Sequence, residues 1–172
     1  MNSNKDFAES FKKAMGRFPS GVTIVTTTDN AGNRRGFTAS AFLSLSLSPP
    51  LILVCLAKSA DCFDPFNNCS QFAVNIIGSK HEELAFKFAS KGCDKFEGNE
   101  FIEGESGLPI LTDCPVSLEC TTKDILPGGD HAILIGEVIN IRMNDDSPII
   151  WHKAQFHYMC GKRVYLNMLS DS

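Results

Sequence analysis

Val22 to Thr28 is an unbroken run of seven β-branched residues, and nothing else in the chain restricts the fold as strongly. Two heavy atoms on each Cβ stiffen χ1, disfavour helix and suit the pleated surface of a strand. Further along, Leu43, Leu45 and Leu47 alternate with Ser44, Ser46 and Ser48. That period of two predicts a strand with one greasy and one hydroxylated face. Pro49-Pro50 closes it, because proline cannot donate to a ladder.

The other elements follow from the same signals. Ser3 with Asp6 resembles a capping box, and Phe7, Phe11, Met15 and Phe18 recur at helical spacing, so a helix is expected over about 4–16. Asp29 to Gly32 is turn chemistry, and Leu51 to Leu56 reads as a strand buried on both faces. Ser59 is the expected cap of a short helical segment reaching Asn68, with Pro65 interrupting its interior. After a strand over Phe72–Ile77, Ser79 and Glu82 form a second expected capping box. The helix they open carries Leu84 and Phe88 and should stop at Gly92. Residues 93–115 read as loop. Val116–Lys123 and Ala132–Arg142 are expected strands joined through Pro127-Gly128-Gly129-Asp130. Ile133, Ile135, Ile139 and Ile141 share one face of the second, and Ile149–Trp151 with Gln155–Tyr158 make a closing pair. Strands joined mostly by short turns, with few helical crossovers, predict a mainly β, largely antiparallel closed or split barrel. The 172 residues are read as one domain.

Composition excludes several functions. Sixteen basic and twenty acidic residues give a net charge of −4 without an arginine-rich stripe, so nucleic-acid binding lacks its electrostatic footprint. The longest apolar run, Leu51 to Ala57, is seven residues, far short of the ~20 needed to span a bilayer. The N-terminal stretch has no apolar core of a secretory signal. The seven cysteines lack any Cys-x-x-Cys spacing and read as reduced cytoplasmic thiols rather than zinc ligands or disulfides.

Motif tests are mostly negative. No Gly-x-Gly-x-x-Gly, P-loop or Gly-x-Ser-x-Gly is present. His81-Glu82-Glu83-Leu84-Ala85 has Ala85 where a zinc-protease helix needs its second histidine, and reads as a solvated helix start. His152 and His157, five apart, would point to opposite faces of one strand. No metal site is expected, and no acid–base or nucleophilic constellation stands out. A bound organic cofactor is therefore the expected carrier of any chemistry.

Three stretches suit such a role. Gly36-Phe37-Thr38-Ala39-Ser40-Ala41 is small and hydroxylated, which lets backbone N–H groups approach a planar ring or phosphate; it also reads as an ordinary packed strand. Cys55-Leu56-Ala57-Lys58-Ser59 ends a strand at a helix start beside a lysine, an anion seat or a plain cap. Gly128-Gly129-Asp130-His131 delivers a histidine to the start of a strand, either for a ligand or satisfied by Asp130.

Taken in order, these pieces resemble a family. Phe18-Pro19-Ser20-Gly21-Val22-Thr23, Gly36 to Phe42, Leu45 to Leu51, Phe72-Ala73-Val74-Asn75, Phe88-Ala89-Ser90 with Asp94-Lys95-Phe96, and Gly129-Asp130-His131 before Gly136-Glu137-Val138 are similar to the flavin reductase-like domain. The likeness runs over about residues 7–160 and points to the reductase component of two-component flavin-dependent monooxygenases.

The resemblance implies an FMN-binding split β-barrel, Greek-key and largely antiparallel, forming a homodimer. It also implies a reaction in which NADH or NADPH reduces FMN or FAD for a separate oxygenase. Thr38, Ala39 and Ser40 would then contact the flavin ring and ribityl chain. Leu56 and Ala57 would lie against the isoalloxazine, Ser59 would approach the phosphate, and Phe88, Ser90 and Lys95 would close the site. His131 would sit near the nicotinamide. Ala60 and Asp61 follow Lys58-Ser59 where many members carry a further serine and a basic residue, which leaves the choice between FMN and FAD open. A flavin-binding electron carrier, a pyridoxamine-phosphate-oxidase-like protein and a non-enzymatic binding module share the barrel as alternatives.

Overall fold

The computed structural model describes residues 3–98 and 100–159. In chain order the elements are α1 (Ser3–Met15), β1 (Ser20–Gly21), β2 (Thr23–Thr28), β3 (Arg34–Ala39), β4 (Phe42–Ser46), β5 (Leu51–Ala57), α2 (Phe63–Asn67) and β6 (Gln71–Ile76). A 3₁₀ turn, Ser79–His81, then leads into α3 (Glu82–Ala89). The remainder is β7 (Phe101–Glu103), β8 (Pro109–Leu111), β9 (Val116–Gly128), β10 (His131–Met143), β11 (Ile149–His152) and β12 (Gln155–Tyr158). A seven-stranded sheet runs β3-β2-β6-β9-β10-β5-β4, and every pairing between the named strands is antiparallel. The mainly β, antiparallel architecture expected from the strand spacing is the one observed.

The β-branched run becomes β2, placed between β3 and β6. Both of its faces are covered, which is why it has no polar alternation. Val25 packs with Phe37, Val54, Phe66, Phe72 and Leu134 on one side of the sheet. Ile24 joins Ile77, Phe88, Phe101 and Leu111 on the other. The threonines that a doubly buried strand would leave polar are satisfied. Thr23 donates to the Ala39 carbonyl at 2.9 Å and Thr27 to the Gln71 carbonyl at 2.7 Å. Gly36 on β3 lies directly under α3. A Cβ there would stand 2.5 Å from Cε1 of Phe88 and 2.9 Å from the Val25 carbonyl oxygen, so only glycine lets the helix settle on the sheet.

Several expectations are corrected. β5 is buried on one face only, with Leu51, Leu53 and Cys55 half-exposed on the other. The isoleucines of β10 likewise face outward. Ala132, Leu134 and Gly136 fill the buried face, while Ile139 and Ile141 are exposed. The loop-rich stretch contains the hairpin β7–β8. Ser79 caps nothing, since the helix α3 has no side-chain cap. Instead Nδ1 of His81 accepts from the Gly78 N–H at 3.3 Å. His81 is buried rather than solvated, and burial pushes its pKa down, which keeps the ring a neutral acceptor. The helix ends at Ser90, before Gly92, with the Ser90 N–H shared between the Phe86 and Lys87 carbonyls.

His152 and His157 also differ from expectation. They lie on partner strands joined at Lys153 and Ala154, both with positive φ. The hairpin reversal returns both rings to one face, with centroids 5.5 Å apart. No group of three or more His, Cys, Asp or Glu suited to a metal occurs among the described residues. Of the cysteines described, Cys62, Cys114 and Cys120 are buried, Cys93 is exposed, and all are free thiols; Cys160 lies outside the described residues. No described helix is long and apolar enough to cross a membrane.

Candidate functional site

The ends of β3 and β5, the C-terminal end of α3 and the start of β10 converge on one cleft of about 350 Å³. Every residue that the family resemblance implies for the site lines it: Thr38, Ala39, Ser40, Leu56, Ala57, Ser59, Phe88, Ser90, Lys95 and His131. Register explains part of this convergence. His131 is the β10 partner of Ala57, so the end of β5 and the start of β10 open at the same rim.

Contributions differ in kind. Ser40 and Ser59 are exposed and offer free hydroxyls. Thr38 is half-buried, and its hydroxyl donates to the Ala85 carbonyl at 2.6 Å, so its oxygen faces a ligand as an acceptor. Leu56 and Phe88 are only 2% and 1% exposed. They support the walls from within the two cores rather than offering open faces. The Ser90 hydroxyl donates to the Phe86 carbonyl at 2.8 Å and finishes α3.

Lys95 donates to the carbonyls of Gly36 at 3.1 Å and Phe88 at 2.9 Å. It therefore fastens the 91–98 loop across β3 and α3, with one N–H left over. At the rim, Nδ1 of His131 lies 2.7 Å from Oδ1 of Asp130. That hydrogen bond, together with the imidazole charge, holds the Asp130 carboxyl below its ordinary value. Nδ1 is thus committed, and Nε2 is the ring nitrogen free for a ligand. The turn before it needs Gly129, whose φ is +69°.

Two sequence readings fail here. Ser59 does not cap a helix, because α2 starts only at Phe63 and has no side-chain cap. Pro65 falls in its first turn, where its missing N–H costs nothing. Lys58 turns away, with its ammonium donating to the Gly129 carbonyl at 2.7 Å. Lys91, which the sequence reading missed, lines the cleft in place of Lys58. Lys91 donates to the Ser59 carbonyl at 2.7 Å and stands 3.8 Å from Oδ1 of Asp61. Asp61 also accepts from the Gly92 N–H at 3.3 Å, so its negative charge is offset locally. The adjacency of Lys91 to Ser90 was the available signal. Gly36 does not line this cleft, since its small size serves the packing of Phe88.

The cleft is therefore graded. Phe37, Ala39, Leu56 and Ala57 give it an apolar wall, and Ser59, Lys91 and Lys95 give it a hydroxylated, cationic end. Such a gradient fits a planar ring system carrying an anionic tail.

A family model described as the flavin reductase like domain matches residues 15–159. The chain belongs to the flavin reductase like domain family. Among relatives, NADH:riboflavin 5′-phosphate oxidoreductase of Streptomyces pristinaespiralis is 38% identical over 152 residues, covering 87% of this chain and 86% of that protein. The actinorhodin polyketide dimerase of Streptomyces coelicolor is 41% identical over 151 residues, covering 87% and 85%. Among solved structures, the NADH:FAD oxidoreductase SgcE6 of Streptomyces globisporus C-1027, in complex with NAD and FAD fragments, superposes with a TM-score of 0.86 at 31% identity, covering 93% of this chain and 97% of that one. The flavin reductase like domain thus accounts for nearly all of the described chain.

Proposed function

We propose that this chain is an NAD(P)H:flavin oxidoreductase that binds flavin in the graded cleft and supplies it, reduced, to a separate oxygenase. The observation that carries the reading is the opening of the Thr38–Ser40, Cys55–Ser59 and Phe88–Lys95 stretches, with His131, on one cleft whose apolar wall leads to a cationic end. A bound flavin supplies a two-electron acceptor for hydride, which needs stacking geometry rather than a protein nucleophile.

The chain's own residues bind and orient. Ala57 and the edge of Leu56 give a flat apolar support, and backbone and hydroxyl groups of Thr38–Ser40 address the polar ring edge. Lys91 and the remaining proton of Lys95 balance the anionic tail. His131 borders the rim where the nicotinamide arrives, with Asp130 fixing its ring. The test is direct. The purified protein should bind FMN or FAD and oxidise NADH or NADPH only when flavin is present. A protein that binds neither flavin overturns the reading.

Ser40→Asp is expected to weaken flavin binding ~10–100-fold, because a carboxylate opposes the negative charge of the ligand in a partly dry site. Isothermal titration of folded variant and wild type checks it. Equal affinities would make Thr38–Ser40 ordinary strand.

We also propose a cytoplasmic homodimer. Phe7, Phe11, Met15 and Phe18 stand exposed along α1 and just beyond it, with Phe7 at 73%. Leu43, Leu45 and Leu47 stand exposed on and beside the edge strand β4, with Leu47 at 93%. Contiguous exposed apolar side chains mark interfaces. Sedimentation at micromolar concentration should give twice the chain mass. A fully active monomer would remove the proposal.

A further inference from the structure

Three aromatic rings stand together beside the graded cleft, and the flavin reading uses none of them. Trp151 on β11 and Phe156 on β12 are direct cross-strand partners, with ring centroids 4.9 Å apart and planes at 64°. Phe86, in the last turn of α3, meets Phe156 edge to face at 5.3 Å. Trp151 and Phe156 pack on the buried cluster that holds Ile24 and Phe88, and Tyr158 donates to Glu82, so the β11–β12 hairpin is tied to α3. Phe86 itself stays 56% exposed. These three rings line a pocket of about 200 Å³. Thr38 and Ser40 bring its only side-chain hydroxyls, and both also line the flavin cleft.

Shape and chemistry together select a guest. Rings in edge-to-face contact attract a further ring through their quadrupoles, a preference that an aliphatic guest of equal size does not share. An apolar cavity of about 150 Å³ takes benzene, so this pocket admits one substituted benzene ring and is too small for the three fused rings of a flavin. The Thr38 hydroxyl already donates to the Ala85 carbonyl at 2.6 Å, and what it offers a guest is a lone pair. We propose that the pocket binds a neutral phenol, its ring among Phe86, Trp151 and Phe156 and its hydroxyl donating to Thr38. This is not the seat of the hydride donor. A nicotinamide must lie over the flavin ring, by Ala57 and His131, and neither residue lines this pocket. Binding here needs no flavin, so the inference stands apart from the reading above.

Trp151 is the only tryptophan of the chain, so its fluorescence reports the pocket directly when excited at the red edge, where phenol does not absorb. Phenol, toluene and cyclohexanol are titrated into the protein without added flavin. Phenol should change the emission saturably and bind ~10-fold tighter than cyclohexanol, which matches its size and hydroxyl but has no ring quadrupole. Phe86→Ala, at a position already half in solvent, should weaken phenol ~10-fold. Thr38→Val should weaken phenol ~5–10-fold and leave toluene within ~2-fold, because only phenol has a proton to donate. Saturating NAD⁺ should move the phenol constant by less than ~3-fold. Circular dichroism verifies the fold of each variant. A quench that never saturates, equal affinities for phenol and cyclohexanol, or full phenol affinity in Phe86→Ala would overturn the phenol pocket. Equal losses of phenol and toluene in folded Thr38→Val would overturn it too, and displacement of phenol by NAD⁺ would hand the pocket to the nucleotide instead.

Discussion

The Asn75→Leu variant is expected to melt ~8–16 °C below the wild type. Asn75 is fully buried on β6 and uses both ends of its amide. Its Nδ2 donates to the Ile24 carbonyl at 3.0 Å, and its Oδ1 accepts from the Leu111 N–H and the Ser117 hydroxyl, each at 2.9 Å. One side chain therefore ties β6 to β2, β8 and β9 in the centre of the molecule. Leucine has a similar volume but takes this partner from the Ile24 carbonyl and the Leu111 N–H, and leaves the Ser117 hydroxyl only the Cys114 thiol at 3.1 Å. At ~1–3 kcal/mol for each unsatisfied group, the loss comes to about 4 kcal/mol even with partial relaxation. That is a large fraction of a marginal total stability. Scanning calorimetry checks the shift, and a melt within ~2 °C of wild type would show that the network is replaceable.

His131→Ala is expected to lower NAD(P)H oxidation ~10–1000-fold while flavin affinity stays within a few-fold, the loss expected when the alignment of a reactant is spoiled. The hydrogen bond to Asp130 fixes the ring, and the pairing of His131 with Ala57 sets its distance from the apolar wall. Hydride transfer needs no proton from the imidazole, so its contribution is orientation. An alignment role lowers turnover itself. A role in uniform binding raises the Michaelis constant for the nucleotide and spares turnover. Stopped-flow reduction of bound flavin, run beside a thermal melt, separates these from a turn-finishing role. Wild-type hydride-transfer rates in a less stable protein would take His131 out of the active site.

Periodicity located the strands well, because β-branched runs and period-two alternation act locally. It could not say which face is the core. Ile133 and Ile135 alternate faultlessly, yet Ala132, Leu134 and Gly136 are the buried set. The same blindness affects α1, whose helical spacing of Phe7, Phe11 and Met15 is real but leaves the stripe exposed on this chain. His152 and His157 were misjudged because parity along one strand is reversed by a hairpin that local spacing does not reveal. The residues that line the cleft were legible as ordered fragments of a family pattern. What escaped was how their polar groups are spent: the two carbonyls held by Lys95, the turning of Lys58 to Gly129, and the entry of Lys91. Those assignments depend on contacts between segments distant in sequence.

The walls of the cleft come from residues 37–41, 55–61, 88–95 and 131. No contiguous stretch of chain can build it, and β10 must zip onto β5 before the rim exists. On the proposed reading, a nascent chain has no flavin site until His131 has left the ribosome and β10 has paired with β5, so cofactor loading follows translation of most of the polypeptide. Because only the finished fold can hold the ligand, saturating flavin raises the stability of the native state alone, by about 2.7 kcal/mol at a hundredfold excess over its dissociation constant. On heating, release of the flavin and collapse of the sheet should then occur as one event, and a cell short of flavin would carry a larger unfolded fraction of this protein for its proteases to remove.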